Sequence, residues 1–153
     1  MGTILLFGST GWIGSKIKKI MLDLNFQVID SKSRLESFKE VTEEITTTRF
    51  DYCFLCAGVT RDPKDSSSNI DWCEKNKAYT FEINFHACLN VVNSCNGRKV
   101  IYFGTGCIYE YDEFHPIGFE GYKEDDKPNF LKSTYSLSKA LFEYLAKDKN
   151  ILI

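Results

Sequence analysis

The sequence has little histidine, little proline and no large excess of charge of either sign. Its 153 residues include two histidines and three prolines, and the formal net charge is −2. A chain with no long basic run and a slightly negative charge is not expected to bind nucleic acid. The two histidines, His86 and His115, suggest nothing specific, and no metal site is predicted.

Long apolar runs are also missing. No stretch approaches the roughly 20 apolar residues of a membrane span, and the N-terminus lacks the charged and long apolar regions of a signal peptide. We therefore expect no membrane partner and a cytoplasmic protein. The length of 153 residues and the apolar fraction of 43% fit one domain with a sizeable core.

Cysteine is the residue type that could suggest a metal or disulfide framework, since six are present. Cys53 and Cys56 form a CxxC pattern inside an apolar, strand-like run. Residues three apart in a strand point to opposite faces, so these thiols cannot share a zinc ion. Cys73, Cys88 and Cys95 fall in a helical pattern as small core residues. Free thiols in an intracellular protein are the simplest interpretation.

A glycine-rich turn follows the first apolar run. The stretch GSTGWIGSKI at 8–17 comes directly after a predicted strand at 3–7 and opens a helical pattern. A strand, a glycine turn and a helix N-terminus in this order suit a dinucleotide pyrophosphate, although a turn without a ligand can carry the same GxxGxxG spacing. The predicted phosphate-binding residues are Gly8, Gly11, Trp12, Ile13 and Gly14.

Strands and helices alternate along the whole chain. Further strands are predicted at 26–30, 52–56, 99–103 and 151–153, with helices after the glycine turn, around 35–45, at 71–95 and from a Ser133 cap onward. The long helix at 71–95 is expected to turn Phe81, Phe85, Cys88, Leu89 and Val92 inward. The alternation predicts an α/β fold: a Rossmann-type doubly wound parallel sheet of about five strands flanked by helices. The loop at 109–130 is too long for a simple connection and is a candidate functional segment.

Three motifs in order carry a resemblance to a known family. They are the glycine turn, the strand end CAG at 56–58, and YSLSK at 135–139 following a strand that ends FGT at 103–105. The set resembles the extended short-chain dehydrogenases/reductases. Within them, AGVT at 57–60, NIDWCE at 69–74, TGCIYEYD at 105–112 and YKEDDKPNF at 122–130 look like the bifunctional nucleotide-rhamnose synthase 3,5-epimerase/4-reductases.

This resemblance implies an NAD(P)-dependent enzyme that converts a nucleotide-linked 4-keto-6-deoxyglucose to nucleotide-linked rhamnose. It implies that residues 1–153 form the cofactor-binding domain. Family members carry a further substrate-binding half after the fifth strand, which this sequence lacks, so the chain alone is expected to be inactive. The expected partners are a nucleotide-sugar substrate and a second copy in a homodimer.

For the reduction, the resemblance assigns three residues. Tyr135 donates a proton to the ketone oxygen, Lys139 one helical turn later favours the phenolate and holds the nicotinamide ribose, and Thr105 hydrogen-bonds the carbonyl oxygen. A lowered pKa is expected for Tyr135. For the epimerisation, Cys107 occupies the position of the family's proton-transfer cysteine, with a buried structural cysteine as the alternative.

Cofactor preference depends on the end of the second strand. Asp30 there suits the ribose hydroxyls of NAD, whereas Ser31 and Arg34 suit a 2′-phosphate, so NADP is favoured and NAD is possible. The resemblance adds Asn84 as a residue that braces the site, with a plain helix position as the alternative. The remaining predicted cofactor contacts are Cys56, Ala57, Gly58, Tyr135 and Lys139.

Two other functions stay open at this stage. One is a different epimerase, dehydratase or reductase of nucleotide sugars in the same superfamily. The other is a non-catalytic NAD(P)-binding regulatory subunit, against which the intact Thr105, Tyr135 and Lys139 argue. The nucleotide base of the substrate, UDP or dTDP, is not readable from the sequence.

Overall fold

The five predicted strands form one parallel sheet. The computed structural model describes residues 2–123 and 125–153. The strands are β1 (Thr3–Phe7), β2 (Gln27–Asp30), β3 (Tyr52–Leu55), β4 (Lys99–Tyr102) and β5 (Ile151–Leu152). They lie in the order β2–β1–β3–β4–β5, and every pairing is parallel. The predicted α/β doubly wound class is therefore confirmed.

Helices connect the strands on both faces of the sheet. They are α1 (Trp12–Asp23), α2 (Phe38–Thr47), α3 (Trp72–Lys75), α4 (Lys77–Phe81), a π-helical segment (Glu82–Ala87), α5 (Cys88–Ser94), a short 3₁₀ turn (Gly106–Ile108) and α6 (Thr134–Ala146). The predicted cap of α6 is confirmed, since the Ser133 hydroxyl oxygen accepts a hydrogen bond from Ser136 N at 3.0 Å.

The region predicted as one helix at 71–95 is interrupted twice. Asn76, at φ −125° and ψ 48°, breaks it between α3 and α4, and the π-helical segment then shifts the inward stripe. The buried positions include Ile83, Ala87, Val91 and the predicted Cys88 and Val92. The predicted Phe85 and Leu89 are partly buried and pack against the same cluster, whereas Phe81 is partly buried outside it, because a π-helical turn changes the angle between successive side chains.

The two faces of the sheet are covered unequally. Side chains of β1, β3 and β4 that point to one face pack with α2, the π-helical segment, α5 and α6 in a large buried cluster. On the opposite face a small cluster of Ile4, Leu6 and Phe54 packs with Ile17 and Met21 of α1. We call these the covered face and the thin face. Cys53 lies on the covered face and Cys56 on the thin face, as strand alternation predicts.

The strand order reverses between β1 and β3. The first crossover runs to β2 on one side, and the later ones run to β4 and β5 on the other, so the chain leaves β1 and β3 in opposite directions. Ligands of such sheets bind outside the carboxyl ends of the strands at this reversal. Within the part of the chain that the structure describes, no helix has the length and apolar character needed to cross a bilayer.

Candidate active site

The glycine turn lies at the reversal, pressed against the end of β3. Gly8 has φ +81°, and a Cβ there would stand 2.7 Å from Ala57 N, so only glycine fits both the backbone angle and the space. Gly14 is the only buried residue of α1, and a Cβ on it would overlap the Gly8 carbonyl oxygen. These two glycines therefore allow the tight turn and the close packing of helix on strand that the sequence predicted.

Helix α1 begins with exposed residues and no side-chain cap. Its N-cap is Gly11, which has no side chain to bind the first amides. Trp12 is 77% exposed and Ile13 39% exposed. The positive end of the helix dipole and the open backbone above Gly11 together suit an anionic group.

The end of β3 is held by Asn84 of the π-helical segment. Asn84 is fully buried, and its Oδ1 accepts from Val59 N at 2.7 Å while its Nδ2 donates to Val59 O at 2.9 Å. Its oxygen would lie 3.1 Å from a Cβ on Gly58. Asn84 thus fixes the segment Cys56-Ala57-Gly58 beside the glycine turn, and π-helical segments are frequent at such functional sites.

Asp30 and Arg34 flank the turn that follows β2. Lys18 of α1 pairs with Asp30 Oδ2 at 2.5 Å. Asp30 Oδ1 is buried and has no hydrogen-bond partner among the described residues. The exposed Arg34 guanidinium makes no hydrogen bond or ion pair with any residue that the structure describes. The Arg34 guanidinium can therefore attract an anionic ligand, whereas the Asp30 carboxylate is paired with Lys18.

Tyr135 and Lys139 lie in the first turns of α6, which packs on the covered face. Tyr135 is 8% exposed and Lys139 is 5% exposed. Lys139 Nζ lies 4.2 Å from the centroid of the Tyr102 ring and donates to the Phe103 carbonyl at 3.4 Å. The lysine is therefore held at the carboxyl end of β4 by backbone and ring, with burial lowering its pKa.

The ionisation of Tyr135 differs from the sequence prediction. Burial raises the pKa of Tyr135, and hydrogen bonding from the Thr105 hydroxyl only opposes that rise. A lowering by Lys139 was expected, but the lysine ammonium points down onto Tyr102 and Phe103. The structure thus keeps the phenol protonated, which suits a group that donates a proton.

Thr105 and Cys107 stand beside Tyr135 in the turn after β4. Thr105 Oγ1 accepts from Cys107 N at 3.2 Å and caps the short 3₁₀ turn. Cys107 is exposed. Its carbonyl accepts from Ser136 Oγ at 2.6 Å, so the cysteine turn is tied to the residue next to Tyr135. Thr105, Cys107 and Tyr135 are therefore brought together, whereas the Lys139 ammonium lies against Tyr102 and Phe103.

Two positioning residues were missed by the sequence reasoning. Ser136 lies within the YSLSK motif and bridges to Cys107, a contact for which the motif itself gives no signal. Glu74 of α3 accepts from both the backbone N and the hydroxyl of Thr134, at the start of α6. An acidic residue at a helix start is a known signal, but this one is 60 residues away in sequence and could not be paired with α6.

The long loop at 109–130 is organised by its own polar side chains. Asp112 accepts from the Tyr122 hydroxyl at 2.8 Å and from Asn129 Nδ2 at 3.1 Å, and it lies 3.0 Å from His115 Nδ1. The Tyr122 ring stacks between His115 and Tyr109. The loop begins two residues after Cys107, so this network holds one border of the site.

Comparison with known proteins places this geometry in a family. The model of the "NAD dependent epimerase/dehydratase family" matches residues 4–150. Two Arabidopsis thaliana enzymes are similar over 147 residues, which is 94% of the chain. One, a trifunctional UDP-glucose 4,6-dehydratase/UDP-4-keto-6-deoxy-D-glucose 3,5-epimerase/UDP-4-keto-L-rhamnose-reductase, is 39% identical, and 21% of it is covered. The other, a bifunctional dTDP-4-dehydrorhamnose 3,5-epimerase/reductase, is 37% identical, and 47% of it is covered.

Solved structures agree with this result. The UDP-rhamnose synthase L780 of Acanthamoeba polyphaga mimivirus matches with a TM-score of 0.84 and 32% identity, covering 99% of this chain and 54% of that one. A Thermus thermophilus UDP-glucose 4-epimerase in complex with NAD matches at a TM-score of 0.78 and 22% identity, over 95% of this chain and 50% of that one. A Bacillus anthracis dTDP-4-dehydrorhamnose reductase with NADP matches at 0.79 and 20%, over 97% of this chain and 50% of that one. The last two show the fold alone. The chain spans about half the length or less of the relatives it matches.

Proposed function

Because the chain belongs to the NAD dependent epimerase/dehydratase family, we propose that it is the dinucleotide-binding unit of a nucleotide-rhamnose 3,5-epimerase/4-reductase. The observation that carries the proposal is the arrangement of residues at the carboxyl ends of the strands. There the turn at Gly8 and Gly14 stands at the end of β1, and Thr105, Cys107, Tyr135 and Lys139 gather beyond β4.

The residues present fit a dinucleotide. A Cβ on Gly8 would fill the space against Ala57, and α1 begins on the open backbone of Gly11. The anionic pyrophosphate would lie at the start of α1, held by the amides after Gly11, with Trp12 and Ile13 beside it. A bound dinucleotide would supply the hydride for reduction of a ketone.

Tyr135 acts as the proton donor in the reduction. As hydride reaches C4 of a 4-keto sugar, the developing oxyanion takes the phenolic proton. The buried, protonated phenol is ready for this step, and the Thr105 hydroxyl steadies the resulting phenolate. Lys139 places a positive charge at the carboxyl end of β4 and would hold the nicotinamide ribose.

Cys107 acts in the epimerisation. The C4 ketone acidifies the hydrogens on C3 and C5, so a base can remove one as a proton and an acid can return a proton to the opposite face. The exposed Cys107 thiol is tied to α6 through Ser136, close to Tyr135. We assign it one side of this proton exchange.

Dinucleotide binding is tested by titrating the 153-residue chain with NADPH and with NADH. Saturable binding is expected for both, with NADPH the tighter. Gly11→Val should abolish it while leaving the fold intact, because a Cβ at Gly11 meets only the Gly8 carbonyl at 3.3 Å. Gly121→Val is the matched control, since a Cβ there meets no atom within 4 Å. Failure of the unaltered chain to bind either dinucleotide overturns the proposal.

The preference for NADP is assigned to Arg34. Arg34→Ala should weaken the binding of NADPH by about 1.5–3 kcal/mol, as expected for the loss of a charge-assisted contact. The binding of NADH should stay nearly unchanged. An equal loss for both dinucleotides contradicts the assignment.

The two chemistries are separated by two variants in the presence of a nucleotide-linked 4-keto-6-deoxyglucose. Tyr135→Phe should stop NADPH oxidation and preserve exchange of the C3 and C5 hydrogens in deuterated water. Cys107→Ala should lower that exchange and preserve reduction of an already epimerised ketone. Equal loss of both activities in both variants contradicts the division of roles.

We further propose that the protein forms a homodimer and that it is located in the cytoplasm. Leu141, Tyr144 and Leu145 are exposed on α6 by 37%, 76% and 48%, an apolar surface suited to a second copy. All six cysteines are free thiols, as is usual in a reducing compartment. Light scattering should give twice the monomer mass, and Tyr144→Glu should return the monomer.

A further inference from the structure

The turn after β2 already contains an anion that belongs to the chain itself. Glu44 of α2 reaches this turn and accepts from Ser31 Oγ at 2.6 Å, from Lys32 N at 2.8 Å and from Ser33 N at 3.2 Å. A further hydrogen bond comes from the Ser33 hydroxyl. Four donors from three consecutive residues thus converge on one carboxylate.

The carboxylate is ionised in this setting. Partial burial by itself raises the pKa of Glu44, but the hydrogen bonds from Lys32, Ser31 and Ser33 outweigh it and lower the pKa below its ordinary value. The turn is therefore a formed anion site, with backbone amides and hydroxyls of the kind that bind phosphate.

One of these donors, the Ser31 hydroxyl, is a predicted contact of the 2′-phosphate. Ser31 and Arg34 are the predicted 2′-phosphate contacts, but the Ser31 hydroxyl is engaged by Glu44 and only the Arg34 guanidinium stays free among the described residues. A phosphate that approached the Ser31 hydroxyl would also meet the negative charge of Glu44. At the adjacent strand end, Asp30 Oδ2 is paired with Lys18.

We propose that Glu44 is a specificity-determining residue that holds the preference for NADP(H) over NAD(H) small, by occupying the donors of the 2′-phosphate site with its own carboxylate. The proposal rests on the proposed dinucleotide site and adds the residue that limits its selectivity. Arg34 attracts the 2′-phosphate and Glu44 opposes it, so the two cofactors bind with similar affinity.

The test compares Glu44→Gln with Glu43→Gln in the 153-residue chain. Glu43 is the neighbouring, exposed carboxylate on α2, so its variant removes the same charge without touching the turn. Titration calorimetry with NADPH and NADH gives the ratio of the two dissociation constants. Glu44→Gln should tighten NADPH about tenfold, the equivalent of one charge-assisted hydrogen bond, and change NADH by less than about twofold. Glu43→Gln should change neither.

Adenosine fragments locate the effect. The gain in Glu44→Gln should appear for 2′,5′-ADP and not for 5′-ADP, because only the former carries the 2′-phosphate. An unchanged or weaker affinity for 2′,5′-ADP overturns the proposal and makes Glu44 a simple brace of the turn. If the unaltered chain binds none of these nucleotides, the proposed dinucleotide site itself is wrong.

A measurement on the unaltered chain keeps the proposal testable if Glu44→Gln does not fold. The proposal requires NADPH and NADH to bind within about tenfold of each other, since one charge-assisted contact is opposed by one charge. A preference for NADPH of more than about a hundredfold overturns it.

Discussion

The covered face and the thin face of the sheet differ in what they bury and in what they hold. The covered face packs the sheet against α2, the π-helical segment, α5 and α6, and α6 carries the buried Tyr135 and Lys139. The thin face has α1, which follows the glycine turn and buries only Gly14.

This difference places the residues that stabilise the fold on one face and the turn proposed to bind a ligand on the other. Residues that must keep a fixed position and a set protonation state lie where burial is deepest. The glycine turn, which we propose binds the dinucleotide, leads into a helix with little apolar contact, where local opening costs less free energy. The effects of substitutions on the two faces should therefore differ, both in how far they lower the free energy of unfolding and in whether they affect stability or binding.

The largest expected effect is on the covered face. Phe142 is fully buried and its ring centroid lies 4.3 Å from that of Tyr102. Phe142→Ala should lower the free energy of unfolding by about 3–5 kcal/mol, measured by urea titration. The matched change on α1, Ile20→Ala, should cost less than about 1 kcal/mol because Ile20 is 48% exposed. Similar losses in both variants would remove the distinction between the faces.

A smaller effect is expected where the covered face supports the site. Asn84→Ala leaves Val59 N and O without their partners, which should cost about 2–3 kcal/mol. Asn90→Ala is the control and should cost less than half as much, because its two hydrogen bonds, to the Phe38 carbonyl at 3.2 Å and from the Thr42 hydroxyl at 3.4 Å, are long and not fully buried. Both values come from thermal and urea unfolding. Equal losses would show that Asn84 is no more than a helix position.

The covered face should also produce a pH dependence. Burial raises the pKa of Glu143 to about 7, and Lys139 opposes the rise. Between the ordinary value of 4.5 and about 7 the unfolded chain has lost this proton and the folded chain keeps it, so the free energy of unfolding should fall as pH rises through that range. Glu143→Gln should flatten this decline, and the exposed Glu40→Gln should not. A decline that survives Glu143→Gln must come from another group.

The smallest effect concerns the one ion pair that joins α1 to β2. Lys18 and Asp30 are each exposed by more than a third, at 36% and 43%. Lys18→Met should cost about 0.2–1 kcal/mol, and the loss should shrink as salt is raised from 0.05 to about 0.5 M. A larger, salt-independent loss would mean that the thin face depends on this pair more than its packing suggests.

Local features of the site were readable from the sequence, and distant contacts were not. Gly8 and Gly14 are needed by a turn of seven residues, and Ser133 caps the helix that directly follows it, so neighbouring residues carry the whole signal. Glu74 at Thr134 and Glu44 at Ser31 are contacts across 60 and 13 residues. Nothing in one sequence pairs such positions.

The predicted lowering of the Tyr135 pKa was wrong, and the predicted inward positions of the long helix were only partly right, for a related reason. The YSLSK spacing places Lys139 one turn from Tyr135, but it does not reveal that the ammonium lies against Tyr102. Helical periodicity assumes 3.6 residues per turn, and the π-helical segment does not keep that period. The roles assigned to Thr105 and Cys107 remain predictions.

The π-helical segment limits which insertions and deletions the chain can accept without losing contacts. It contains Asn84, which contacts Val59, and it continues directly into α5, which carries the core positions Val91 and Val92. Deleting one residue between them would rotate the two sets relative to each other by about 100° around the helix axis. Either the amide would leave Val59 or the valines would leave the core. Over this stretch, exposed side chains can be replaced at little cost in stability, whereas a change in the number of residues displaces one of the two sets.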